Sequence, residues 1–314
     1  MKTKRRKTAG IIFLLVMLSA AGMTAQAAPG DIAGDIYETN ISTQFCGYDI
    51  PAFAADGKTL IAAEDLGQYG YTVYYSNDAR CLFVTYSSAP GESVPPVERT
   101  TEQWTAGKIC GHYYESDIRV VVNGEYVQGY ALDGKMAVCV EDLGGGDAEN
   151  DWYGVSPYRM LYSYDDSQRR LSLWNALDRL PSQKVQEEDY IAKFTQIEYL
   201  SSEYKIYNGD GFDIVRCTQN GTTHGSYTYY MLFWENGLSI NLNTVFDAYG
   251  FRDYWGHVLV KIDAISGDDL EFTATKEVFS DLDTGVTAYE GVSEEKCTLD
   301  LHTLRLDKLS TKRL

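Results

Sequence analysis

Alternation of apolar and polar positions, broken by short turn signals, dominates the chain after its first thirty residues and predicts strands more than helices. Ile118, Val120 and Val122 alternate ahead of Asn123-Gly124, a pair suited to the positive φ angles of a two-residue hairpin. A second turn at Asp133-Gly134 leads into a short apolar strand, Met136 to Val140, and then into Glu141-Asp142-Leu143, the start of a short helix. The same order occurs earlier. Cys46-Gly47 occupies the first turn, Asp56-Gly57 the second, Thr59 to Ala63 the apolar strand, and Glu64-Asp65-Leu66 the helix start, which Gly70 ends in the left-handed conformation. Cysteine disfavours positive φ, so the Cys46-Gly47 turn is expected to differ from its counterpart. Strands Tyr71 to Ser76 and Cys81 to Tyr86, joined by Asn77-Asp78-Ala79, close the unit.

These parallels are an internal duplication. Residues 37–67 align with 114–144 at a constant offset of 77, with 12 identities in 31 positions. Past Gly67 the offset grows to 89, where Arg80, Leu82 and Val84 meet Arg169, Leu171 and Leu173. The second copy therefore carries a 12-residue insertion between Gly145 and Met160, an aromatic-bearing segment with Trp152 and Tyr153. Three glycines, Gly144 to Gly146, predict a shorter helix in this copy.

The C-terminal third reads as mainly β. Phe212 to Cys217 is a strand, and Ser226 to Trp234 and Leu238 to Leu242 flank the hairpin turn Glu235-Asn236-Gly237. Asn243 to Gly250 suits a short helix, Val258, Val260 and Ile262 alternate toward one face, and Leu299, Leu301, Leu304 and Leu306 suggest a last strand with an irregularity near Thr303. The expected fold class is α+β, mostly β. The expected organisation is a signal peptide over 1–27, repeat 1 over 35–86, a Pro-rich linker over 87–108, repeat 2 over 109–174, a second linker over 175–193 and a β-rich domain over 194–314.

Composition and charge narrow the compartment. Five basic residues between Lys2 and Lys7, an apolar run from Ile11 to Ala21 and the triplet Ala25-Gln26-Ala27 form a secretory signal with cleavage expected after Ala27. Removing it leaves 22 basic against 45 acidic residues, a net charge of −23. Such a surface repels nucleic acid and anionic lipid. With no cysteine directly after the cleavage region, the mature protein is expected to be secreted and without a membrane span. Six cysteines, at 46, 81, 110, 139, 217 and 297, allow fifteen full pairings, of which Cys217 with Cys297 is one that the C-terminal region permits.

The string carried by Asp56-Gly57-Lys58-Thr59, Ala63-Glu64-Asp65-Leu66, Tyr69-Gly70-Tyr71 and Arg80, and again by Asp133-Gly134-Lys135, Glu141-Asp142-Leu143 and Arg169, resembles the copper amine oxidase N-terminal-like, or stalk, domain of exported Gram-positive bacterial proteins. The resemblance covers about 110 residues and implies two small modules, each an antiparallel sheet curled around one short helix and used as a non-catalytic appendage. Copper chemistry is not expected, because His112, His224, His257 and His302 form no HxH pair and no Asn-Tyr dipeptide exists. No metal and no cofactor are implied.

Chemistry-bearing residues have plain structural readings. Glu64-Asp65 and Glu141-Asp142 sit where acidic side chains complement a helix dipole, and are read as structure before acid and base. Cys217 and His224, seven residues apart, are read as a buried or bridged cysteine and a loop histidine, and Asn208 to Asp213 as a polar turn and not a calcium loop, because Phe212 takes a ligand place. The aromatics Tyr227, Tyr229, Tyr230, Phe233, Trp234, Tyr249, Phe251, Tyr254 and Trp255 are read as core before an exposed ligand face. Trp152, Tyr153, Tyr254 and Trp255 are candidate glycan-binding residues, since exposed rings offer apolar area with a polar handle. Three functions follow in order: an exported non-catalytic spacer or envelope-interaction protein, a cell-wall glycan binder, and a hydrolase. The partners expected are cell-wall polysaccharide or another envelope protein.

Overall fold

The structure is a computed structural model, and it describes residues 28–87, 107–144, 160–175, 202–220, 226–253, 257–281 and 287–314, with positions 94, 97 and 105. The expected signal peptide, the insertion at 145–159, most of both linkers, His224, Trp152, Tyr153, Tyr254 and Trp255 lie outside the described residues. The fold is α+β and mostly β, as the alternation predicts.

Each copy of the repeat supplies seven strands and one short helix in the same order. Copy one runs β1 (Ile32–Tyr37), β2 (Ser42–Phe45), β3 (Tyr48–Asp49), β4 (Ala52–Ala55), β5 (Lys58–Ala62), a 3-10 helix (Ala63–Tyr69), β6 (Tyr71–Ser76) and β7 (Cys81–Tyr86). Copy two runs β8 (Ile109–Glu115), β9 (Arg119–Val122), β10 (Glu125–Val127), β11 (Gly129–Leu132), β12 (Lys135–Cys139), an α-helix (Val140–Gly144), β13 (Met160–Asp165) and β14 (Arg170–Asn175). Gly70 ends the first helix at φ 93°, as expected, and the second helix is the shorter. Asn175, placed in a linker by the sequence, is the last residue of β14, buried, and its Nδ2 donates to Tyr71 Oη at 3.1 Å.

The two copies do not form two separate modules. Three strands from each close one six-stranded barrel in the order β1-β4-β5-β12-β11-β8. The hairpin β9-β10 leaves its own copy and pairs with β7 of the other, giving the sheet β10-β9-β7-β6, and the hairpin β2-β3 does the reverse, giving β13-β14-β2-β3. Both exchanges are parallel and in equivalent register, Cys81 beside Arg119 in one and Arg170 beside Ser42 in the other. The small sheet around a helix that the family resemblance implies is therefore completed by strands of the other copy. Leu66 and Leu143, the leucines of the two motifs, are both fully buried in one core with Val84, Val122, Ile61 and Val138.

The exchange explains the Cys46-Gly47 turn. Both hairpins adopt the same turn, with φ 50° and 88° at Cys46-Gly47 and 49° and 83° at Asn123-Gly124, against the expected difference. Cys46 N donates to Leu173 O at 2.8 Å, just as Asn123 N donates to Val84 O at 2.9 Å. The pairing across copies holds the backbone in place, and the side chain follows.

The C-terminal third forms two further four-stranded sheets. One is β15 (Ser202–Asn208), β16 (Phe212–Asn220), β17 (Ser226–Trp234) and β18 (Ser239–Asn241); the other is β19 (Val260–Ser266), β20 (Asp269–Asp281), β21 (Thr287–Asp300) and β22 (Leu306–Arg313). A helix, Leu242–Ala248, lies between them in sequence, capped by Asn241, whose side chain accepts from Asn243 N. The expected single last strand through Leu299 to Leu306 is two strands. Leu299 lies one residue before the end of β21, the chain turns at Leu301 to Thr303 with Leu304 at φ 58°, and Leu306 begins β22. Leu299, Leu301 and Leu304 remain buried because the turn itself folds onto the core.

This third shares its core with the double repeat. Cys81, Phe83 and Val121 on the outer face of β10-β9-β7-β6 join Tyr230, Phe246, Tyr249 and Phe251 in one buried cluster. Tyr230, Tyr249 and Phe251 are core residues, as read from sequence. Phe83 and Tyr249 stack at 5.4 Å with rings 16° apart. Arg119 donates to Ala248 O at 2.7 Å, to Ala79 O at 3.2 Å and to Tyr126 Oη at 3.0 Å, and Tyr126 in turn donates to Asp247 at 3.1 Å. Gly124 lies so close that a Cβ there would meet Ile240 Cγ2 at 2.5 Å and Asn241 N at 2.8 Å. On the equivalent sheet the counterparts of Cys81, Phe83, Val121 and Tyr126 are Arg170, Ser172, Gln44 and Asp49, all partly exposed. The C-terminal third covers the copy of this face that is apolar and leaves the polar one to solvent.

Candidate functional site

The repeat motif residues meet where β5 and β12 pair across the copies. These strands run antiparallel, with Ala62 opposite Ala137 and Leu60 opposite Cys139. Continuing that register would set Met136 against Ala63 and Thr59 against Val140, but both partners have already turned into helices. The glutamate one step into each helix takes the vacant acceptor place. Glu64 accepts from Met136 N at 3.0 and 3.1 Å, and Glu141 from Thr59 N at 3.0 and 2.9 Å. The aspartate that follows reaches the lysine after the Asp-Gly turn of the other copy, Asp65 to Lys135 at 2.5 Å and Asp142 to Lys58 at 2.9 Å.

The motif Asp-Gly-Lys and the motif Glu-Asp-Leu are thus two halves of a clamp written twice. Asp56-Gly57 and Asp133-Gly134 make the turns, with φ 47° and 49° at the aspartates and 82° and 78° at the glycines. Magnitudes rank the parts. A strand donor left unpaired costs about 1–3 kcal/mol, whereas ion pairs with lysines half exposed, as Lys58 and Lys135 are, contribute about 0.2–1 kcal/mol each. The glutamates carry the clamp; the Lys–Asp pairs trim it. Sequence reasoning placed these carboxylates correctly at helix starts and missed the reach across copies, which only the strand exchange creates.

Other candidates resolve as structure. Asn208 Nδ2 donates to Asp213 at 2.6 Å and Gly209 N to Phe212 O at 2.8 Å, a closed polar turn. None of the six cysteines is disulfide-bonded. Cys217 and Cys297 belong to different buried clusters, so the pairing that the sequence permits is not made. Burial pushes the thiols of Cys81 and Cys139 up to about 12 and those of Cys217 and Cys297 up to about 11, which keeps them protonated and unreactive at neutral pH. Cys110 is exposed. Among the described residues no three His, Cys, Asp or Glu side chains group to hold a metal ion, and no helix is long and apolar enough to cross a membrane. His257 Nδ1 lies 2.8 Å from Asp253 Oδ2 in a nearly buried pair four residues apart.

The fold and this geometry define a mostly β protein built on an exchanged internal duplication. No family model matches the chain, and neither does any curated protein or solved structure.

Proposed function

We propose that the protein is an exported, non-catalytic component of a Gram-positive cell envelope, in which the stalk-like double repeat is a rigid mount for the β-rich C-terminal third. One observation carries this reading: all four motif carboxylates, the strongest catalytic candidates in the sequence, are spent on bonds between the copies. The contacts of half-buried Arg119 and buried Phe83 favour a fixed attachment of the C-terminal third over a flexible tether. The leader sequence and the net charge of −23 after its removal favour the outside of the cell.

Expression of the full chain in a Gram-positive host tests this. The expected result is protein in the wall and medium fractions with an intact mass that begins at Ala28. Uncleaved protein confined to the cytosol contradicts it.

A further inference from the structure

On the side of the double repeat that the C-terminal third leaves open, a cavity of about 410 Å³ lies between β4, β5 and β13, within the roughly 300–1,000 Å³ range of small-molecule sites. Thr43, Ala52 and Thr59 form part of its wall, together with Tyr162 and Tyr164. The duplicated fold shows what a filled version looks like. At the equivalent place in the other half stand Val120, Gly129 and Met136, with Met136 buried and its Sδ accepting from Ser116 Oγ at 3.5 Å. A Cβ on Gly129 would meet Val120 Cγ2 at 2.6 Å and Met136 Cε at 2.9 Å, so glycine there makes room for the methionine. The open half has neither the filler nor the glycine that admits it.

The open half also carries polar groups where the other copy is apolar. Thr43 stands where the other copy has a valine of the same shape, is 4% exposed, and its Oγ1 has no hydrogen-bond partner among the described residues. A buried hydroxyl without a partner costs about 1–3 kcal/mol, so packing alone favours the valine found in the other copy. Lys58 and Glu141 line the cavity as well, each already fixed by the clamp. Tyr162 and Tyr164 stand two apart on one strand, on one side of it, 39% and 44% exposed.

We propose that this cavity binds one unit of an uncharged saccharide. Tyrosine rings offer flat apolar faces for the C–H side of a sugar ring. Thr59, Lys58 and Glu141 supply donors and acceptors for its hydroxyls. An apolar ligand leaves the polar groups of Thr59, Lys58 and Glu141 unmatched, and an anionic one meets the strongly negative charge of the protein. The proposal needs neither export nor the mounting role, so it stands or falls separately from them.

The chain from Ala28, which holds every described residue, is titrated with cellobiose, maltose and N,N′-diacetylchitobiose to ~10 mM while tyrosine resonances are followed by NMR. Saturable binding of at least one disaccharide is expected. The pair Thr59→Met with Ala52→Gly, which copies the filled half, is expected to weaken it by ~10-fold or more, and Tyr164→Ala, at an exposed position, is expected to weaken it as well. No saturable binding by any of the three sugars overturns the proposal, and so does binding that Tyr164→Ala leaves unchanged.

Discussion

At the scale of single residues, Cys46 is where the fold overrules a side chain. Its φ of 50° lies in the left-handed region, where a residue with a Cβ costs about 1–2 kcal/mol relative to the right-handed region and asparagine tolerates the conformation better. Its counterpart is Asn123, in the same turn with the same cross-copy bond. Cys46→Asn is therefore expected to raise the unfolding free energy by about 0.5–1 kcal/mol in denaturant titration. An unchanged or lower value contradicts the account of strain at this turn. The same logic separates Phe83 from Ser172, equivalent positions that differ because one meets the C-terminal third and the other meets water. Their burial was not legible in the sequence, since each reads as an ordinary strand residue until the exchanged sheet shows which face is covered.

At the scale of elements, the ends of β5 and β12 decide how the two copies hold together. Each strand stops pairing where its partner enters a helix, and a glutamate from that helix replaces the missing carbonyl. Glu64→Ala leaves Met136 N without its acceptor and is expected to cost about 1–3 kcal/mol. Lys135→Ala removes a half-exposed ion pair and is expected to cost less than about 1 kcal/mol. Equilibrium unfolding of both variants checks the order, and an equal or reversed ranking contradicts the clamp. Element types were readable in advance: the turns at Asn123-Gly124, Asp56-Gly57 and Glu235-Asn236-Gly237, the short helices and most strands follow from turn chemistry and period. The Leu299 to Leu306 segment misled because buried leucines on both sides of a tight turn imitate one strand with a flaw.

At the scale of the molecule, the repeat was legible and its consequence was not. Twelve identities disclose that one unit is written twice, but they fit two separate modules as well as one exchanged pair. Local periodicity contains nothing about which copy a hairpin joins. The exchange is visible in long-range pairings, Cys81 with Arg119 and Ser42 with Arg170, and in asymmetries that the exchanged fold accounts for: Phe83 against Ser172, Met136 against Thr59. The first asymmetry seats the C-terminal third, and the second opens the cavity. The candidate glycan-binding rings Trp152, Tyr153, Tyr254 and Trp255 lie outside the described residues, and the site argued from geometry rests on Tyr162 and Tyr164, which sequence reasoning did not single out.

The claim that the two copies are halves of one barrel is tested most directly at the strand pair that joins them. Ala62 and Ala137 face each other across β5 and β12, 75 residues apart in sequence. Nuclear Overhauser spectroscopy on the chain from Ala28 is expected to show cross-peaks between their backbone protons, since directly opposed residues of an antiparallel pair have Cα atoms only about 4.5–5.5 Å apart. Assigned spectra in which Ala62 and Ala137 share no cross-peak, each paired only within its own copy, contradict it.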